Sequence, residues 1–598
     1  MTNKKRLLAV VMSAILAVSS FAACGEASKP DESSKPDESS KADAGSSQAE
    51  KADPNMDGDV KLNPPGEFPI VDGDPVTVSI FSSYHTDNYQ KLAREDNTAT
   101  KWFEDEVNMR IDWTIVTPAD KIAKLNLLFQ SDDYEDIIFG TFWDGATQYS
   151  YGKQGYLIPL NQYYDDGDAY WWDKFAAEVL AIEGQFTQDH LDELVMPDGN
   201  IYSMTQGGSS AFHSGVANRM YMYMPWLEAV DMEVPTTTDE FYEVLKAFKE
   251  KDPNGNNEAD EIPLSGSLKG WNMNPNEFIL DAFLYFDKQT KYYADNGKMK
   301  LAYQQDEFKE GVKYMAKLYE EGLLDNEYFT QDNNQVKAKT TQDIQKVGAV
   351  GGGAWGAFTY QVSGEPGDWT NYQTIAPLKG PEGVQYTKHF EPKPMVKAHI
   401  TDNCKTPKAA FRMIDSMYNT EVSMNLVLGY SEEDGPFYEI FDEDTDVMAI
   451  NGEKAIYRNI NYGQIPNTAW SQIGVAPGAG AGWHSFQALQ NNNTDASLDG
   501  ETGLYRSAEQ YYPYIPEEGV IPPAFIFEED EAAEVVVLKT NLDKYFDEQF
   551  ALMVSGQIPG TIDEYWDTFI AGTETQGASR LLELYQKAYD ERMAVMSK

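Results

Sequence analysis

The chain has 598 residues, 41% of them hydrophobic, which is enough for more than one core and, at roughly 150 residues per domain, makes two or more domains the expectation. Its 97 acidic residues against 47 Lys and Arg leave a formal net charge of −50. That excess excludes a nucleic-acid binder, which needs clustered cations, and excludes docking on an anionic membrane through a basic patch.

Lys4, Lys5 and Arg6 precede the uncharged apolar stretch Leu7–Ala23, the layout of a secretory signal peptide. The stretch ends in Phe21-Ala22-Ala23-Cys24, small residues before a cysteine, which resembles a bacterial lipobox. Residues 1–23 are therefore expected to be removed. Cys24 is expected to carry acyl chains, palmitate among them, as the only membrane attachment. Cys404 is then the sole remaining thiol, and a disulfide framework is excluded. Residues 24–65 hold no aromatic residue and repeat SKPDES in tandem at 28–33 and 34–39. Such a segment buries too little apolar surface to order itself. It is expected to be a tether with a coil reach on the order of 35 Å.

The body then opens as alternating strands and helices. Val76, Val78 and Ile80 alternate with polar residues as a strand; Asn97–Val107 suits a helix; Met109, Ile111, Trp113 and Ile115 alternate as a second strand. Thr117-Pro118-Ala119-Asp120 reads as a helix start before Ile122, Leu125, Leu128 and Phe129, and "DIIFG" (136–140) as a third strand. This β-α-β-α-β series predicts an α/β domain with a largely parallel sheet and ligands at the carboxyl ends of its strands. Further on, Thr237 and Glu240 form a capping-box pattern ahead of Phe241, Val244, Leu245 and Phe248, and Thr406-Pro407 starts another helix.

Several segments together resemble the extracellular solute-binding lipoproteins of ATP-binding-cassette importers, carbohydrate branch. They are "GYLIPLNQYY" (155–164), "MPDGNIYSM" (196–204), "MYMPWLEAVDMEVPTTTDEFYEVLKAFKEKDPNGN" (222–256), "YQTIAPLKGPEG" (372–383), "ITDNCKTPKAAFRMIDSMY" (400–418) and the C-terminal "LLELYQKAYDERM". The resemblance implies a two-lobed, periplasmic-binding-protein-like (Venus-flytrap) α/β fold with hinge crossovers and a ligand cleft between the lobes. It implies an N-terminal lobe of 66–200 plus about 386–460 and a C-terminal lobe of 201–385 plus about 461–598. Crossings are expected near Asn200–Tyr202, before Ile400 and near 455–465. It further implies a monomer that delivers its ligand to permease subunits and catalyses nothing.

With 36 Tyr and 12 Trp, aromatic faces are the first candidates for stacking on the apolar face of a sugar ring. The expected cleft set is Tyr84, His85, Trp143, Trp271, Trp355, Trp470 and Trp483, each placed after a strand or beside a glycine-rich loop. Arg219 reads either as a carboxylate clamp or as a structural group. Gly348–Gly356 lacks the GxxxxGK[ST] spacing of a phosphate loop. A secreted glycosidase, which needs two opposed carboxylates, and a peptide-binding cleft are the alternatives. The sharpest local motif is "DPNGNNEADEI". It sets Asp252, Asn254, Asn256, Glu258 and Asp260 at alternate positions with Glu261 beside them, as in a calcium loop with Asn257 for the usual Gly. A structural Ca²⁺ is expected there.

Overall fold

The computed structural model describes residues 53–596, apart from 84–95, 118–119, 141–142, 144, 181–193, 197, 207–211, 362–364, 391–394, 461–464, 474–488, 492–495, 522–524, 526 and 528. The signal, Cys24 and the tandem repeat lie outside the described residues.

Strand β1 (Val76–Ser83), helix α1 (Thr98–Val107), β2 (Met109–Val116), α2 (Lys121–Ser131) and β3 (Ile137–Phe139) follow the alternation in the sequence. Asn97 starts α1 by accepting the Thr100 amide at 3.0 Å, and Asn108 ends it at a left-handed φ of 52°. β2 and β3 each pair in parallel with β1. Two helices, α3 (Gly145–Gln154) and α4 (Tyr170–Leu180), and the short strand β4 (Met204–Gln206) complete this first pass.

The second lobe opens with β5 (Arg219–Tyr223), α5 (Thr238–Glu250), β6 (Ile262–Ser265), α6 (Pro275–Ile279), α7 (Asp306–Glu320), β7 (Val347–Gly352) and β8 (Tyr372–Ile375). The capping box of α5 is formed: Thr237 Oγ1 accepts the Glu240 amide at 3.1 Å, and Glu240 accepts the Thr237 amide at 3.2 Å. Its four-stranded sheet runs β8-β5-β7-β6, with only the β6–β7 pair parallel. Gly348 on β7 answers a packing need. A Cβ there would come within 2.4 Å of Phe248 and 2.8 Å of Trp226, so the glycine lets α5 and the Trp226 ring close onto the sheet.

The chain returns through β9 (Met395–Ile400), which pairs antiparallel with both β3 and β4. The first sheet is therefore β2-β1-β3-β9-β4, parallel on one side and antiparallel on the other. Helix α8 (Pro407–Asp415) covers it, starting at Pro407 as the sequence implies. A last stretch adds α10 (Gly500–Tyr511), after α9 (Thr420–Leu428), and then α11 (Glu529–Val554), α12 (Ile562–Thr575) and α13 (Ala578–Met596). Leu542, Phe546, Phe550, Trp566, Phe569 and Leu581 of these C-terminal helices close the core of the second lobe. Helix α11 also lies against α3 of the first lobe.

Two expectations about boundaries are corrected. Residues 53–65 are not tether: they form a small hairpin bound to the first lobe. The Asp57 carboxylate accepts the Ala409 amide at 2.8 Å, Lys408 Nζ donates to the Pro54 carbonyl at 2.7 Å, and Arg412 donates to the Asn63 carbonyl and, at 3.1 Å, to Asn55 Oδ1. Lack of aromatic residues concealed this, because polar groups and the buried Leu62 fasten the segment. The third crossing also falls later than expected. Trp470 and Ile473 belong to the first core, and Asn491 still donates to the Tyr457 carbonyl of that lobe at 2.8 Å. Helix α10 is in the second lobe, so the chain changes lobes between 491 and 500. The other two changes fall between 206 and 212 and between 390 and 395, where Phe390 N bonds the Gly215 carbonyl at 2.8 Å.

Candidate functional site

In the first lobe, Trp143 follows β3 at the carboxyl end of the parallel strands. It is 7% exposed, and its ring lies tilted on Tyr151 at 4.9 Å and on His399 at 4.7 Å. His399 sits on β9 opposite Ile138. Its Nδ1 is 2.9 Å from the Tyr202 carbonyl. A carbonyl only accepts, so Nδ1 carries the proton and Nε2 presents a lone pair. Burial lowers the His399 pKa to about 4, and the ring is neutral near pH 7. Trp143 Nε1, His399 Nε2 and the Ser203 and Thr205 hydroxyls are buried with no hydrogen-bond partner among the described residues. A buried polar atom left unpaired costs about 1–3 kcal/mol. This set, donors and acceptors beside an indole, has the chemistry to receive hydroxyl groups.

Trp271 occupies the corresponding edge of the second lobe, past the carboxyl end of β6. Its indole is 54% exposed. The Trp271 carbonyl accepts the Gly353 amide at 3.1 Å, and a Cβ on Gly353 would stand 2.4 Å from the indole. The glycine-rich end of β7 is thus the bed on which this ring lies, and no phosphate loop.

The other expected residues fall elsewhere. Trp470 is a correction: it is fully buried, edge-on to Phe103, Trp113 and Phe139, and its Nε1 donates to Thr100 Oγ1 at 2.8 Å. It fills the first core and has no face to offer a ligand. Trp355 is also buried, with Nε1 donating to the Tyr372 carbonyl at 2.8 Å and its ring edge-on to Tyr221 and Trp369. Tyr84, His85 and Trp483 lie outside the described residues. Arg219 is structural: buried, it donates to the Gly353 carbonyl at 2.8 Å, to Ser507 Oγ at 3.0 Å and to the His213 carbonyl. Burial raises the Cys404 thiol to about 12, which leaves it a poor nucleophile. His399 was not among the expected residues; its partners Trp143 and Tyr202 are brought to it by strand pairing alone.

The 252–261 loop turns as its spacing implies. Asp252 accepts the Asn256 amide at 3.1 Å and the Asn257 amide at 3.0 Å, Asn254 Oδ1 accepts the Asn256 amide at 3.0 Å, and Asn256 Oδ1 accepts the Glu258 amide at 2.7 Å. Asn257 takes a left-handed φ of 61° in place of a glycine. Asn254 and Asn256 both turn their side-chain NH₂ groups to Asp260 Oδ1, at 3.0 and 3.1 Å, and Lys346 Nζ lies 2.9 Å from Asp260 Oδ2. Glu261 Oε1 is buried and has no partner among the described residues; burial, with Asp252 and Asp260 nearby, raises its pKa. Among the described residues no three His, Cys, Asp or Glu side chains already stand as a metal cluster. The oxygens are nonetheless gathered in one turn. Rotating the two amides and releasing Lys346 would present them to a hard cation, so the donor set fits Ca²⁺.

No protein-family model matches the chain. It is 28% identical over 502 residues to the fructooligosaccharide ABC transporter substrate-binding protein FusA of Streptococcus pneumoniae, a match covering 82% of this chain and 86% of that one. It is 28% identical over 258 residues to lipoprotein LipO of Bacillus subtilis, covering 41% of this chain and 49% of that one. Among solved structures, FusA in complex with kestose superposes with a TM-score of 0.68 at 23% identity, over 87% of this chain and 99% of that one. A FusA EF-hand mutant in complex with fructo-nystose gives 0.67 at 23% identity over the same shares. The chain has the two-lobed α/β fold of these solute-binding proteins.

Proposed function

We propose that the chain is the extracytoplasmic binding subunit of an ATP-binding-cassette importer, that its cleft takes an oligosaccharide, and that it performs no covalent chemistry. The observation that carries this reading is the pairing of exposed or unpartnered aromatic groups with unpaired polar atoms at the strand ends of a two-lobed fold: Trp271 in one lobe, Trp143 and His399 in the other. The name of the relative matched over most of the chain points the same way. Closure of the lobes around sugar would offer the permease a surface that the open form lacks. Attachment is through acyl chains on Cys24 after removal of residues 1–23, and the protein acts as a monomer. Among the described residues no helix is long and apolar enough to cross a membrane.

A structural Ca²⁺ belongs to the same reading, held by Asp252, Asn254, Asn256, Asp260 and Glu261 with the Glu258 carbonyl. The ion would neutralise carboxylates that otherwise repel. The role is structural, because the loop joins α5 to β6 at the end of β6 opposite Trp271.

The test is a thermal-shift screen of the purified protein over oligosaccharides, with peptides as the comparison. A ligand at a hundred times its Kd stabilises by about 2.7 kcal/mol. A shift with a saccharide, and recovery of that saccharide uncut, is the expected result. A shift with peptides alone, or release of shorter sugars, overturns the proposal.

A further inference from the structure

Resting on that reading, we propose that the polar cluster beside Trp271 is a subsite for an uncharged sugar ring, held through a pair of neighbouring hydroxyls. Asn272 directly follows the exposed indole, and Asn218 directly precedes β5, next to the first crossing. Lys288 ties them together: its Nζ donates to Asn272 Oδ1 at 2.6 Å and to Asn218 Oδ1 at 3.3 Å. These bonds fix the Asn218 amide with its NH₂ turned away from the lysine. Asn218 is 3% exposed, and this Nδ2 has no partner among the described residues. Lys288 keeps a third N–H.

An acceptor, Glu277, stands beside these donors, and Asn276 precedes it on α6. Glu277 is 6% exposed and Asn276 7%, and Glu277 Oε2 and Asn276 Oδ1 have no partner among the described residues. Glu277 is close enough for its charge to support the partly buried Lys288 ammonium. Buried donors and buried acceptors left open together call for a group that both gives and takes a hydrogen bond. A hydroxyl does so, and a carboxylate does not.

The charges select between neutral and acidic sugars. Lys291 stands 4.0 Å from Glu277, Lys388 pairs with buried Asp281, and Asp547 faces Lys291. With Lys288 the cluster holds three ammonium groups against three carboxylates and has no spare positive charge. A uronate would bring an uncompensated anion next to Glu277, whereas a diol adds none.

The test compares neutral trisaccharides (kestose, maltotriose) with trigalacturonate by calorimetry on the purified protein, then repeats the best ligand with variants. Asn218→Asp keeps an oxygen for Lys288 but replaces the open NH₂ with a carboxylate oxygen. Glu277→Gln removes the open carboxylate. The expected result is binding of a neutral sugar and none of trigalacturonate. Both variants should lose at least tenfold in affinity, with melting temperatures near that of the parent. Preference for trigalacturonate, or affinity within twofold in the folded Asn218→Asp protein, overturns the subsite. Absence of binding by any saccharide overturns the functional reading itself, and the subsite falls with it.

Discussion

Arg219→Met should destabilise the second lobe without acting first on ligand affinity. The guanidinium reaches the nearby turn at His213 and two segments distant in sequence, the end of β7 at Gly353 and helix α10 at Ser507. Methionine fills much of the volume but offers no donor. The Ser507 hydroxyl can turn to another partner, but the two carbonyls are backbone and cannot be removed. Each buried acceptor left unpaired costs about 1–3 kcal/mol, so about 2–6 kcal/mol is at stake. Relief of the buried charge offsets part of this, and the net loss should be about 3 kcal/mol. Urea unfolding followed by tryptophan fluorescence reads that loss in the transition of the second lobe, with saccharide affinity measured alongside. A variant as stable as the parent to within 0.5 kcal/mol, yet deprived of ligand binding, would refute the structural role and restore Arg219 as a ligand clamp.

Trp271→Ala should weaken saccharide binding by about 1–3 kcal/mol, the range for stacking on an aromatic face, with little change in melting temperature. Trp470→Ala should do the reverse in calorimetry and unfolding, costing about 3–5 kcal/mol of stability for a buried aromatic. His399 makes the first lobe acid-sensitive. Its folded pKa near 4 lies below the ordinary 6.5, so between these values the native state binds fewer protons than the unfolded chain. Stability at this site is complete above pH 6.5 and declines as pH falls towards 4, by about 3 kcal/mol, and His399→Gln should flatten that part of a pH–stability curve. Chelator should lower the melting temperature and Ca²⁺ restore it in the parent protein; an Asp252→Ala, Asp260→Ala double variant should not respond.

Local patterns were readable where one short segment holds all the information. The alternation of Val76, Val78 and Ile80, the Thr237–Glu240 box, the Pro407 helix start and the turn at 252–261 each depend on neighbours in sequence, and each forms. The antiparallel half of the first sheet was not readable, because β9 reaches it after a detour of almost 190 residues through the other lobe. The two aromatic candidates that turn out to be core, Trp355 and Trp470, were not readable for the same reason. Trp143, Trp271 and Trp470 look alike as residues near glycine or strand ends; exposure sets Trp271 apart, and only the partner of the indole N–H separates Trp143 from Trp470. Nothing in Asn218, Asn272 and Lys288 marks them as neighbours; β5, the loop after β6 and the segment after α6 meet only when the lobe is assembled.

The hairpin at 53–65 decides how mechanical load enters the molecule. Whatever pulls on the chain from its N-terminal side pulls on residues held by Ala409, Lys408 and Arg412, all on α8 of the first lobe. A load from that side is therefore received by α8 and the sheet it covers, ahead of any segment of the second lobe.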